Sequence, residues 1–180
     1  RVAEYAESVP STRWVYVADR EADILGLMQR AHALGNPADW LIRAKHNRKL
    51  ERDEAKLWEQ VAQAPCLGEV HFYLPPHAGR KGRHVVQELR CLRVCLPDGK
   101  RGRFEITALL AREIDPPAGE KALAWRLLSN RAAPVLAEAA TLIDWYRCRW
   151  EIELFFNILK NGCQVEALQM STLSRIELAL

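Results

Sequence analysis

Residues 13–46 carry a strand, a helix and a second strand in direct succession, and this order restricts the fold more than any other feature of the sequence. The run RWVYVA (13–18) is short and rich in β-branched and aromatic residues, which predicts a buried strand. Apolar residues recur with a helical period through 21–34, and Gly35 supplies a C-terminal cap. DWLIRAKH (39–46) is the second predicted strand. Such a unit pairs its strands in parallel through a right-handed crossover, so the sequence predicts an α/β fold.

The middle of the chain has the pattern of an antiparallel sheet. After a short predicted helix around 54–63, four strand-like runs follow one another, separated by proline- and glycine-containing turns. These runs are EVHFYLP (69–75), HVVQELRCLRVCLP (84–97), RFEITALLARE (103–113) and LAWRLLS (123–129). A long helix then extends from Pro134 to about Asn161 and ends at Gly162. We therefore expect an α/β part (1–64), an antiparallel β insertion (65–130) and a long helix that completes the core and begins a helical region (131–180).

Composition narrows the class of protein. Apolar residues make up 49% of the 180 residues and charged residues 27%, which predicts a folded globular chain. Because the sequence has no apolar run of about 18 residues and no signal peptide, we expect a cytoplasmic protein without a membrane partner. The five cysteines include no Cys-x-x-Cys pair, so we interpret them as structural thiols rather than zinc ligands or disulfides.

Positive charge is concentrated in two segments. Eight lysines and arginines lie between Arg80 and Arg103 against two acidic residues, and RAKHNRK (43–49) forms a second basic cluster. Clusters of this kind suit a polyanion such as nucleic acid, although a solvated basic face would produce the same pattern.

Asp19 directly follows the first predicted strand. The carboxyl ends of parallel strands are where such sheets gather ligands and substrates, so Asp19 is a candidate metal ligand. The alternative is an N-cap of the following helix. We interpret the neighbouring Arg20, Glu21 and Asp23 as supporting or solvent-facing residues.

A polar stripe marks the long helix. At 100° per residue, Tyr146, Arg149, Glu153 and Lys160 fall within about 60° of one another, while most of the remaining circumference is apolar. A helix that is apolar nearly all round is expected to be buried. An Arg149–Glu153 ion pair would explain two of the four residues. All four suit a phosphodiester, because a carboxylate binds a divalent cation while Arg, Lys and Tyr contact phosphate oxygens. Glu153 would need a second carboxylate, and Asp19 is the candidate.

The motif ADREAD (18–23) after a strand, followed by Tyr-x2-Arg-x3-Glu-x6-Lys on a late helix, resembles the DDE transposases of bacterial insertion sequences. Within these it is similar to the insertion-sequence-four group, which includes the transposon-five transposase. The resemblance implies a ribonuclease-H-like fold, incomplete at its N-terminal side because the family's first catalytic Asp precedes this chain. It also implies that Asp19 and Glu153 bind two Mg²⁺ or Mn²⁺ ions.

The same resemblance implies DNA as the partner, with a homodimer in the synaptic complex and association with the bacterial nucleoid. Tyr146, Arg149 and Lys160, together with Arg43, Lys45 and His46 of the basic cluster, would contact DNA. The implied activity is metal-dependent strand cleavage and transfer in cut-and-paste transposition. Because one carboxylate is missing, we expect this chain alone to bind DNA without cutting it. The alternatives are a non-catalytic DNA-binding remnant and a structural α/β domain with a basic face.

Trp125 allows two interpretations. Its position on a predicted strand favours a core tryptophan. In the family, a tryptophan at the matching place stacks on a base flipped out of the duplex, which predicts a partly exposed ring. Arg126 departs from the family pattern, which has an apolar residue there.

Overall fold

The computed structural model describes residues 2–9, 11–50, 55–76, 81–98 and 102–163, without the side chains of residues 2, 3, 150, 153 and 154. The elements are, in chain order, α1 (Val2–Ser8), β1 (Val15–Ala18), a 3₁₀ turn (Arg20–Ala22), α2 (Leu25–Ala33), β2 (Asp39–Arg43), α3 (Leu57–Gln63), β3 (Cys66–Leu74), β4 (Arg83–Asp98), β5 (Gly102–Glu113), β6 (Ala124–Ser129), α4 (Leu136–Asn157) and a π turn (Ile158–Gly162). Among the described residues, no helix is long and apolar enough to cross a membrane.

One mixed sheet contains all six of these strands, in the order β1-β2-β6-β5-β4-β3. The predicted parallel pairing of β1 with β2 is confirmed, with Ala18 opposite Ile42. All other neighbouring strands are antiparallel, including β6 with β2. The start of β6 therefore lies beside the carboxyl end of β2, at the same end of the sheet as the carboxyl end of β1, and we call this end the carboxyl edge.

Both faces of the sheet are covered where the strands are central. One face carries Ile42, Ile106 and Leu128 and packs against Met28 of α2 and Trp58 of α3. The opposite face carries fully buried side chains such as Leu109, Trp125 and Leu127. Alternate residues of β5 and β6 thus serve two cores, which explains why their sequences are almost continuously apolar.

A glycine ends α2 as predicted. Gly35 has φ +74°, and its N–H donates to His32 O at 2.8 Å while that of Asn36 donates to Ala31 O at 2.8 Å. This pair of bonds is a Schellman motif, which satisfies the last carbonyl groups of the helix.

Two predictions about the first α/β unit are wrong in detail. β1 is an edge strand that is only partly buried, with Tyr16 39% exposed, because its described strand partner is β2 alone. The helix expected over 21–34 is divided into the 3₁₀ turn and α2, since Asp23 points inward and the chain turns there.

The chain consists of two compact units, residues 1–145 and 146–180, and α4 contributes to both. In the first unit, Leu142 and Ile143 of α4 are buried, and Leu136 lies against Gly68 of β3. In the second unit, the prediction of a helix buried nearly all round is wrong. Apolar side chains there are more than half exposed, namely Ile152, Phe155, Phe156 and Ile158. Residues 164–180 of the predicted helical region lie outside the described residues.

Candidate active site and nucleic-acid interface

Asp19 lies immediately after β1, at the carboxyl edge. Its Oδ1 accepts the N–H of Arg20 at 2.9 Å, so it caps the 3₁₀ turn rather than a helix over 21–34. The Arg43 guanidinium, at the end of β2, is 3.8 Å from the same oxygen. Because β1 and β2 are parallel and in register, the sheet brings these two side chains together from positions 24 residues apart in the sequence.

Asp23 is the buried carboxylate of this edge. Its side chain is fully buried, with Oδ1 2.5 Å from Arg48 Nη2. Its Oδ2 accepts the backbone N–H groups of Lys45 at 2.6 Å and His46 at 2.8 Å. Burial alone would raise the pKa of Asp23, but the hydrogen bonds from Arg48, His46 and Lys45 and the charge of Arg48 hold it below its usual value.

The segment 44–49 after β2, which we call the basic loop, is held by further bonds. The indole N–H of Trp58 donates to His46 O at 3.1 Å, and Asn47 Oδ1 accepts the backbone N–H of Trp58 at 3.1 Å. Lys45 and His46 have exposed side chains although their backbone is bonded. The loop therefore presents positive charge from a fixed backbone.

Sequence reasoning overlooked Arg126 as a possible functional residue. Its carbonyl accepts the N–H of Ala44 at 2.7 Å, which places it beside the start of the basic loop. The exposed Arg126 guanidinium lies 5.8 Å from the centroid of the Trp58 ring. The sequence around Arg126 does not indicate that it lies near the basic loop, because that loop comes from about 80 residues earlier in the chain.

Trp125 is fully buried, so the expected partial exposure is not found. Its ring stacks on Phe72 of β3 with centroids 5.6 Å apart and planes 15° apart. The backbone explains this: β6 is an interior strand, and Trp125 is opposite Ala111 on one of its two covered faces. This geometry matches the core interpretation.

The long helix places the other candidate residues in the second unit. The Tyr146 side chain is buried, and the Arg149 guanidinium lies 5.7 Å from the centroid of its ring. Lys160 is exposed in the π turn that follows α4. Glu153 lies on α4, but its side chain is outside the described residues.

The basic run from Arg80 to Arg103 is partly neutralised by acidic partners. Arg83 forms ion pairs with Glu113 and Glu120, Arg90 with Glu88 and Arg93 with Glu105. The pairs Arg83–Glu113 and Arg93–Glu105 join β4 to β5, whereas Arg90 and Glu88 lie on the same strand. Residues 80, 100 and 101 of the run lie outside the described residues.

Asp19 has the chemistry expected of a ligand for a divalent cation. It offers carboxylate oxygens, is 29% exposed, and faces Arg43 at 3.8 Å. No group of three metal-binding side chains occurs within the described part of the chain, which does not include the Glu153 side chain.

A family model described as a transposase DDE domain matches residues 6–180, which is nearly the whole chain.

Proposed function

Because this chain belongs to the transposase DDE domain family, we propose that it is the catalytic-domain portion of a cut-and-paste DNA transposase of the bacterial insertion-sequence-four group. The family acts on DNA, generally uses divalent metal ions and implies a ribonuclease-H-like fold. Within that fold, we propose that residues 1–64 form the second part of the core, that 65–130 is an antiparallel insertion, and that 131–180 contain the long helix that completes the core and the start of a C-terminal helical region. The observation that carries the proposal is Asp19 at the carboxyl edge, beside Arg43 and the basic loop.

We assign the metal ligands to Asp19 and Glu153. When bound, a pair of Mg²⁺ or Mn²⁺ ions supplies Lewis-acid activation of a water or 3′ hydroxyl and neutralises phosphate charge. Asp19 suits this role because it ends a strand at the edge where parallel strands converge. Glu153 is assigned from its place in the Tyr-x2-Arg-x3-Glu-x6-Lys motif.

The cationic residues are assigned to the phosphate backbone. Arg149 offers a planar pair of donors and Lys160 a point charge, as the motif implies. The motif also implies a phosphate contact for the Tyr146 hydroxyl, although this side chain is fully buried in the structure. Arg43, Lys45 and His46 would contact phosphates near Asp19, since the sheet places them at the same edge. Such contacts position the duplex without reading its sequence. The complete protein is proposed to act as a homodimer at the bacterial nucleoid.

Metal binding tests the assignment directly. Titration of the chain with Mn²⁺, followed by calorimetry and electron paramagnetic resonance, should show a site that weakens on Asp19→Ala or Glu153→Ala. Glu21→Ala is the matched control, because this exposed carboxylate lies two residues from Asp19 and is not assigned as a ligand. The assignment would be contradicted if Mn²⁺ affinity fell equally in all three variants, or if it fell in none of them.

DNA binding tests the other half of the proposal. Affinity for a labelled duplex should fall steeply with salt, as phosphate contacts release counterions. Because only Asp19 and Glu153 are assigned as metal ligands, whereas the family uses three carboxylates, we propose that this chain binds DNA without cutting it. DNA binding without a Mn²⁺ site would instead support a non-catalytic remnant. Metal-dependent nicking by the 180-residue chain, lost on Glu153→Ala, would show that two carboxylates suffice.

A further inference from the structure

Asp23 connects two segments of the carboxyl edge that are separate in the sequence. Asp23 follows the turn that begins at Asp19, and its partners Lys45, His46 and Arg48 belong to the loop that follows β2. Two backbone N–H groups and one guanidinium share this one carboxylate. A second bond from Arg48 Nη2 reaches the backbone carbonyl of Asp23 at 3.3 Å.

Packing alone does not explain a charged carboxylate at the buried position of Asp23. A buried carboxylate is costly unless it is paired and hydrogen-bonded, and here every described partner comes from the basic loop. The bonds leave the side chains of Lys45 and His46 directed to solvent while their backbone is immobilised. Side chains on a fixed backbone lose less conformational freedom when they bind a ligand.

We infer that Asp23 is a positioning residue for DNA: it fixes the basic loop relative to the turn that carries Asp19, so that the phosphate-binding side chains keep a constant position relative to the metal-binding carboxylate. This inference rests on the proposed function, because it assumes that Lys45 and His46 contact phosphates. Asp23 itself touches neither DNA nor metal. It acts through the backbone of the loop.

Strand β2, whose carboxyl end leads into the basic loop, provides a matched control at its amino end. Asp39, at the start of β2, is also buried and also paired with two arginines, Arg13 at 2.5 Å and Arg131 at 3.2 Å. It lies about 13 Å from the carboxyl edge, by the rise of four strand residues. Asp39→Asn and Asp23→Asn therefore remove comparable buried charges, and each adds one net positive charge. That added charge by itself favours DNA, so weakened binding cannot be its direct effect.

The experiment measures affinity for a labelled 30-base-pair duplex at 50 and 200 mM NaCl, well below the melting temperature of each variant. Asp39→Asn should change affinity less than twofold. Asp23→Asn should weaken binding about fivefold or more, because the loop must then be ordered on binding. The double variant D23N/R48M keeps the net charge and leaves no buried ion unpaired, and it should weaken binding similarly. Amide hydrogen exchange at Lys45 and His46 should accelerate in both Asp23 variants and stay unchanged in Asp39→Asn.

Lys45→Ala separates this inference from the proposed function. Loss of one phosphate contact should reduce the ratio of the two dissociation constants by about 3.5-fold. If Lys45→Ala has this effect while both Asp23 variants bind like the parent, Asp23 is not a positioning residue and the proposed function stands. If Asp39→Asn weakens binding as much as Asp23→Asn, the effect is general loss of stability and the inference fails. If the parent shows no salt-dependent DNA binding, the proposed function itself fails.

Discussion

Replacing Trp125 by alanine should mainly destabilise the fold. The indole is fully buried and stacks on Phe72, which is itself 8% exposed. Truncating a buried tryptophan to alanine typically costs about 3–5 kcal/mol, of which an aromatic pair contributes about 0.5–1.5 kcal/mol beyond its area. For a chain of this size, each kcal/mol lowers the melting temperature by about 2–4 °C. The expected loss is therefore about 6–20 °C.

Thermal unfolding followed by circular dichroism at 222 nm measures this change without depending on tryptophan fluorescence. Trp125→Phe keeps an aromatic face for Phe72 and should cost clearly less than Trp125→Ala. A double-mutant cycle with Phe72→Leu should return a coupling of about 0.5–1.5 kcal/mol. Trp14→Ala is the control, because that ring is 38% exposed and its loss should cost less than about 1 kcal/mol.

The reasoning would be refuted by the opposite pattern. If Trp125→Ala lowered the melting temperature by less than about 3 °C while strongly weakening DNA binding, the ring would be a DNA contact and not a core residue. If both quantities fell, DNA binding at a temperature where the variant is folded would decide between the two roles.

Three further predictions concern single groups. The pKa of Asp23 is lowered in the folded chain, so the stability that this carboxylate contributes is present above its unfolded pKa of about 3.9 and is lost as pH falls through the folded value. In Asp23→Asn the free energy of unfolding should therefore decline less steeply as pH falls. An unchanged decline, measured by urea titration at several pH values, would contradict this. Burial raises the pKa of Cys91 to about 11, so at pH 8 only about one thiol in a thousand is ionised, and a thiol reagent should label exposed Cys66 and Cys95 well before Cys91. Gly35→Ala should lower the free energy of unfolding by about 1–2 kcal/mol because φ is +74°. Gly26→Ala, with open space around its Cβ, should raise it by up to about 1 kcal/mol. Equal melting temperatures for the two variants would contradict this difference.

Local patterns in the sequence were sufficient for most of the strands. The strands β3 to β6 were predicted within a few residues, because glycine and proline separate them and their composition is β-branched and apolar. The parallel pairing of β1 with β2 followed from the strand–helix–strand order. Asp19 was located because a charged residue ends an apolar run.

The errors came from contacts between distant parts of the chain. For Asp23 the solvent-facing alternative is wrong, because its side chain is buried against Arg48, 25 residues away, and no local pattern indicates that pairing. The apolar second half of α4 was expected to be buried, yet periodicity alone does not say which apolar faces are covered, and Phe155 is 57% exposed. Arg126 was noticed only as a departure from a family pattern, because its neighbour Trp58 belongs to another element.

The antiparallel junction between β2 and β6 has a consequence for how the protein reaches its folded state. Ile42 pairs with Leu128, whereas the pairings from β3 through β6 join consecutive strands. Closing a loop of some 86 residues costs about 4 kcal/mol of chain entropy before any contact repays it. The meander of β3 to β6 can form early, and β2 joins it only when this long-range closure occurs. A nascent or partly unfolded chain therefore lacks the bond from the Ala44 N–H to Arg126 O that anchors the start of the basic loop.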